Sequence, residues 1–319
     1  MISRLLEMFT PNFDKLFFDR IFLAIVPVFI IIVIEHVLLS YFYKKESSLI
    51  RLTRKLNSSS ILDYAYGFLT WMPLTLFRFI KYLTLPGLLV LGFHFLGKKI
   101  DINGVLFNLQ PSNVILNLIL WYLVFDFGHF VPHYMMHKFS FLWRFHKFHH
   151  GATDFNIITG VRTSFAERTF TQVISFLMIT VCFGIPSVGS VAILIAIRRV
   201  VELLQHSDLP WDYGWVGKIV AGPLFHRMHH SNDPRDYNAN YGNLFTFWDY
   251  IFRTRSKRYV EQGAIIAEGV TLGLDSESET TANNRFLYGL TNETFLHYIL
   301  IALGKFGMYP IKSIVRLEP

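Results

Sequence analysis

The chain carries a single cysteine, Cys182, in 319 residues. One thiol cannot make an internal disulfide, a CxxC redox pair or a four-thiolate metal site. Cys182 lies in an apolar run, where it reads as inert filler. Charge is also scarce, at 17% of residues against about 25% in soluble domains. Internal repeats and low-complexity linkers are absent, so the chain reads as one structural domain. Carboxylates are thin in the middle, where Glu167 is the only glutamate between Glu46 and Glu202. The Glu-x-x-His pairs of a ferritin-like di-iron centre are missing altogether. So is a GxGxxG dinucleotide loop.

What is abundant is apolar. The hydrophobic share is 52%, Phe alone supplies 32 residues and mean hydropathy is +0.36. That composition excludes disorder and collagen-like or disulfide-rich folds, and points to a membrane protein. The net charge of +7 then reads as attraction to anionic lipid, with no nucleic-acid partner. The first 20 residues show no cleavable signal peptide. Residues 21–43 form a run long enough for one crossing. Lys44, Lys45, Arg51, Arg54 and Lys55 follow it, which places its end in the cytoplasm. Residues 61–97 are apolar but broken by Pro73, Arg78, Lys81 and Pro86, as one kinked crossing or a hairpin. Residues 114–136 are the next run. Residues 170–197 break at Gly184 to Gly189 and fit a short hairpin or a kinked span. Residues 259–283 read as a polar loop, and Leu296 to Phe306 as interfacial. If 61–97 crosses once, the later segments all return to the cytoplasmic side; a full hairpin there reverses them.

Thirteen histidines make about 4% of the chain, and ten of them fall between His129 and His230. They form three clusters: His133-Tyr-Met-Met-His137, His146-Lys-Phe-His149-His150 and His226-Arg-Met-His229-His230. At this frequency a single HxxHH arises by chance in about 2% of such chains, and a pair far more rarely. Positions i, i+3 and i+4 share a helical face, so each cluster can present its imidazoles in one direction. Neutral imidazole binds iron, zinc, copper and nickel. Eight nitrogens exceed what one ion uses, so two metals are expected. The Phe, Trp, Met and Leu interleaved with the clusters imply a packed site. Nitrogen-rich, carboxylate-poor ligation beside a membrane is the pattern of a non-haem iron oxygenase. Asp126, His129, His133 and His137 share one face, which places Asp126 to accept a hydrogen bond from a ligand imidazole. His129 is expected beside the metals rather than on them, and His206 as a ninth ligand. A zinc-binding or zinc-transporting membrane protein is the alternative, though transport favours ligands in mid-span, and these clusters lie at or beyond span ends.

The Asp126-led helix, Leu-Trp-Arg-Phe-His-Lys-Phe-His-His at 142–150, His206 and His-Arg-Met-His-His at 226–230 together resemble the fatty acid hydroxylase/sterol desaturase superfamily. Asn240-Tyr241-Gly242 and Phe247-Trp248-Asp249-Tyr250-Ile251-Phe252-Arg253-Thr254 are similar to that family's third-box region. The resemblance covers roughly 115–256. Two positions depart from it: Tyr134 stands in a frequent Arg place, and His129 in a frequent aromatic place. It implies an all-α integral membrane helical bundle with a cytoplasmic histidine-rich helical cap. Residues 1–112 would be membrane helices, 113–258 the catalytic region and 259–319 a polar loop with an interfacial helix. It implies a multi-pass protein of a bacterial inner membrane or the endoplasmic reticulum. The eight box histidines would hold two iron ions, and Asn240 would support them. O2 would be co-substrate for hydroxylation or desaturation of a lipid, whether sterol, fatty acyl or alkyl. With no fused cytochrome b5 signature, electrons would come from a separate cytochrome b5-, ferredoxin- or flavoprotein-type donor. The protein would add a dry apolar pocket. Lys138, Arg144, Lys147, Arg162 and Arg168 would be placed to meet anionic head groups.

Overall fold

The computed structural model describes residues 26, 28–54, 58–71, 114–184 and 188–274. Most of the second apolar run, His94, His297 and the segment Leu296 to Phe306 lie outside these residues. The described residues are helical, with two isolated β-bridges and no strand.

Helix α1 (Val28–Tyr43) ends in a π-helical turn, where Lys44 adopts φ 54° and stops it. Helices α2 (Ser48–Arg54) and α3 (Ser58–Trp71) follow. Glu35 of α1 is fully buried. Its carboxylate accepts from Ser48 N–H at 3.0 Å, Ser48 Oγ–H at 2.7 Å and Asp208 N–H at 3.1 Å. A buried carboxylate needs such partners, and here they tie α1 to α2 and to the loop behind His206.

Helix α4 (Val114–Lys138) is the centre of the molecule. Its stretch Ile115–Lys138 is the one described helix long and apolar enough to cross a membrane. The residues at 170–197 divide between α6 (Phe165–Phe183) and α7 (Val188–Gln205), parted at Gly184 with φ 85°. Ser164 Oγ caps α6 by accepting from Glu167 N–H at 3.1 Å. The helices converge on α4 through Trp121, Tyr122, Phe125, Ile179, Phe183 and Leu194. Close approach of α4 and α6 depends on Gly128, where a Cβ would lie 2.5 Å from Ser175 Cα.

The remaining elements pack along α4 from its middle to its C-terminal end. Helix α5 (Ser140–His150) leads to a 3-10 turn at Ile157–Val161. Asn156 opens that turn with a capping box: its side chain accepts from Ile158 N–H, and its N–H donates to Thr159 Oγ1. Helix α8 (Pro223–His229) begins at a proline, whose missing N–H costs nothing in a first turn. Helix α9 (Phe247–Ile251) is short. The expectation of a loop after 259 is corrected by α10 (Lys257–Gln262) and a 3-10 turn at Ala264–Gly269. Ser256 Oγ caps α10 by accepting from Tyr259 N–H. Tyr259 and Ala267 bury against Leu224, Phe225 and Met228 of α8. The short apolar stretch Ala264-Ile265-Ile266-Ala267 drives this packing together with Tyr259 and Val270, and it is too brief to stand out from the polar residues around it.

Candidate metal centre

The structure gathers nine histidines into two buried groups. His133, His137, His146, His150 and His229 form one; His149, His206, His226 and His230 form the other. Within each group the ligand nitrogens lie within 4.8 Å of one another. All eight box histidines are in, and His206 from the end of α7 completes the second group.

The partition cuts across the clusters. The i, i+4 pairs His133/His137, His146/His150 and His226/His230 stay together. The i+3 members, His149 and His229, turn to the opposite group. Residues four apart differ by about 40° around a helix and residues three apart by about 60° in the other sense. One box therefore serves two centres, and the expectation of one direction per cluster is corrected.

The hydrogen bonds decide the tautomers. His133 Nδ1 lies 3.0 Å from Tyr241 O, and His229 Nδ1 lies 2.7 Å from Ala239 O. A carbonyl only accepts, so both Nδ1 atoms carry the proton. Both Nε2 atoms then present lone pairs to each other at 3.0 Å. The same holds for His149 and His206, whose Nδ1 atoms donate to Arg162 O at 3.2 Å and Glu202 O at 2.7 Å. Their Nε2 atoms are 3.3 Å apart. Desolvation by burial keeps the imidazoles of His149, His150, His226, His229 and His230 neutral, well below their ordinary range, and adjacent histidines push the same way. Burial also lowers His206 to about 4. Opposed lone pairs repel, and a shared cation converts that repulsion into ligation. An ion about 2.0–2.1 Å from each nitrogen sets neighbouring nitrogens about 2.9–3.4 Å apart, which matches these contacts. The residues therefore fit two metal ions.

Support comes from residues that the sequence did not mark. Glu167 Oε1 lies 2.9 Å from His146 Nδ1, and its Oε2 has no hydrogen-bond partner. Its isolation in a carboxylate-poor stretch was the available signal. Asp249 accepts from Tyr241 N–H, Gly242 N–H and Thr254 Oγ–H at 2.6–2.8 Å. It thereby holds the turn whose carbonyls orient His133 and His229. Gly160 lets the 3-10 turn approach this site, since a Cβ there would meet Glu202 Cγ at 2.9 Å and His206 Nδ1 at 3.1 Å.

Of the expected supports, Asp126 and Asn240 bond to other partners, while His129 lines the cavity beside both groups. Asp126 does not reach an imidazole. Its carboxylate accepts from Leu244 N–H at 2.9 Å, Phe245 N–H at 3.2 Å and the Trp248 indole N–H at 3.0 Å. His129 stays outside both groups, with Nδ1 at 2.8 Å from Phe125 O and 2.9 Å from Ser175 Oγ. Asn240 braces the chain by donating to Phe225 O and accepting from Ser256 N–H. Arg162 cannot meet a head group, because it is fully buried in an ion pair with Asp63 at 2.6 Å. A cavity of about 70 Å³ touches both groups, at His133, His146, His149, His206 and His226. Met136, Thr163, Glu167, Thr171, Arg198 and Gln205 also line it.

Residues 118–254 match the family model for fatty acid hydroxylase. The chain carries a fatty acid hydroxylase domain. That domain contains all nine grouped histidines. It is similar to alkylglycerol monooxygenase of Xenopus tropicalis, 31% identical over 42% of this chain and 30% of that protein. It is also similar to an ornithine lipid hydroxylase of Rhizobium tropici, 28% identical over 43% and 41%. Cholesterol 25-hydroxylase of Rattus norvegicus is 26% identical over 54% and 57%. The matches thus span between under a third and just over half of these relatives. No solved structure matches the chain.

Proposed function

We propose that this chain is a membrane-bound, O2-dependent lipid hydroxylase with two iron ions in its histidine groups. The observation that carries the reading is the pairing of neutral, carbonyl-oriented imidazoles with lone pairs face to face at 3.0–3.3 Å. Nitrogen donors suit iron as well as zinc; the names of the relatives, all hydroxylases or monooxygenases, favour redox chemistry. They favour hydroxylation over desaturation too. When bound, the iron pair would supply O2 activation and hydrogen abstraction from an unreactive C–H bond.

The protein's own residues do the rest. Tyr241 O, Ala239 O, Arg162 O and Glu202 O hold four Nδ1–H groups, so the ligand nitrogens are set before metal arrives. Polar side chains on the cavity wall, Thr171 and Gln205 among them, would suit a head-group oxygen or nitrogen near the reacting carbon. Helix α4 would cross the bilayer with the histidines toward the cytoplasm, where a separate cytochrome b5-, ferredoxin- or flavoprotein-type donor would deliver electrons. Metal analysis of the purified full chain should find two irons. Oxygen uptake should depend on an added lipid, tested with a 1-O-alkylglycerol, an ornithine lipid, a sterol and a fatty acid. A zinc-loaded protein without lipid-dependent oxygen uptake overturns the reading. Lipid profiles of cells with and without the gene would then name the substrate.

A further inference from the structure

The segment behind the third histidine cluster carries an apolar surface that the metal site does not use. Trp215 is 77% exposed, Ile251 63%, Tyr250 49%, Ile219 47% and Phe252 46%. Two stretches contribute, and they are stitched together: Thr246 N–H donates to Ile219 O at 2.9 Å and Thr246 Oγ–H to Gly217 O at 3.3 Å. The position of this patch along α4 is fixed by Asp126, which lies near the middle of the stretch Ile115–Lys138. Its carboxylate takes N–H groups from Leu244, Phe245 and Trp248. Asp126 is roughly 18 Å along the helix from Lys138 at 1.5 Å per residue. Phe127 and Phe130 of α4 also pack on Phe252, with ring centroids 5.9 and 5.1 Å apart. A segment hydrogen-bonded to the middle of a span has to enter the bilayer with it. Exposed Lys218 and Arg253 adjoin the patch, as suits anionic lipid head groups, and exposed Trp and Tyr suit the interface.

We infer that Trp215, Ile219 and Tyr250 to Phe252 form a lipid-inserted tip, which seats the third histidine cluster against the bilayer without crossing it. The backbone there can enter lipid because its own turns satisfy it: Ile219 N–H donates to Val216 O and Phe252 N–H to Trp248 O, while Trp215 O and Tyr250 O accept from Lys218 and Arg253 N–H. The inference rests on α4 being a membrane span.

The test uses the full chain with Cys182→Ser and one new cysteine at a time: Ile119→Cys, Trp215→Cys, Ile251→Cys and Arg235→Cys. Each is spin-labelled and reconstituted in phosphatidylethanolamine–phosphatidylglycerol vesicles. The reading is the ratio of collisions with O2 to collisions with a water-soluble nickel chelate. Position 119, 56% exposed on α4, reports the span itself; Arg235, on a side chain 71% exposed, reports water. The inference expects the ratio at 215 and 251 to rise several-fold above that at 235, toward the value at 119. A lipid-like ratio at 119 with a water-like ratio at 215 and 251 overturns the inference and leaves the membrane reading standing. A water-like ratio at 119 overturns the membrane reading as well. Low collision rates with both reagents at 215 and 251 mean that another segment covers the patch, and also overturn it.

Discussion

Asp126→Asn separates a residue that orients a ligand from one that anchors a segment. The carboxylate accepts three N–H groups, at 2.9, 3.2 and 3.0 Å, and contacts no imidazole. An amide has one accepting oxygen, and its NH2 must then face at least one of those N–H donors. The loss is one hydrogen bond to a charged acceptor, about 1.5–3 kcal/mol, with part of the cost of a buried N–H left unmatched. The expected destabilisation is about 2–4 kcal/mol, or a fall in melting temperature of roughly 3–6 °C for a chain of this size. The assay is a thermal melt in detergent, with metal counted on the monodisperse fraction. Metal per folded chain should equal wild type. An unchanged melting temperature with a tenfold loss of metal would refute the reasoning, because it would require the carboxylate to act on a ligand.

His206→Ala should lower metal from two ions to about one per chain, as should His149→Ala, because the second group then keeps three of its four nitrogens. His229→Ala should abolish turnover, while His36→Ala, His94→Ala and His297→Ala should leave metal and activity intact; equal loss from His94→Ala would undo the assignment. Glu167→Gln keeps the shape beside His146 Nδ1 but not the anionic acceptor, so metal affinity or turnover should fall about 10–100-fold with an unchanged melt. Asp63→Asn leaves Arg162 buried without its counter-charge and should cost about 3–5 kcal/mol; Asp63→Leu combined with Arg162→Met should recover most of it, and a double variant no better than the single would show that the ion pair is not the cause. The metal-free protein should lose stability as pH falls from about 6.5 toward 4, because the unfolded chain takes up protons there and buried His206, held at about 4, does not. A melting temperature flat across that window would contradict the burial of these imidazoles.

Much of this protein was legible in its residues. The helical class follows from the apolar runs, and the two-metal inference from eight clustered histidines in a carboxylate-poor stretch. His206, marked from its place behind Arg198, Arg199 and Glu202, joins the second histidine group. The helices at 257–269 were not legible, because the apolar stretch at 264–267 is shorter than two helical turns and the residues around it are polar. Asp126 misled for a related reason: sharing a helical face with His133 does not say which neighbour reaches the carboxylate first.

The sequence alone determined which eight histidines could gather, since imidazoles at i, i+3 and i+4 are a property of local spacing. Only the tertiary structure decided which nitrogen serves which centre. His149 and His150 are adjacent in sequence yet belong to different groups, and the choice rests on carbonyls from distant segments. Arg162 O and Glu202 O orient the pair His149/His206, while Ala239 O and Tyr241 O orient His229/His133. A tautomer is set by whichever acceptor the fold brings within hydrogen-bond reach, and no spacing within a single helix contains that acceptor.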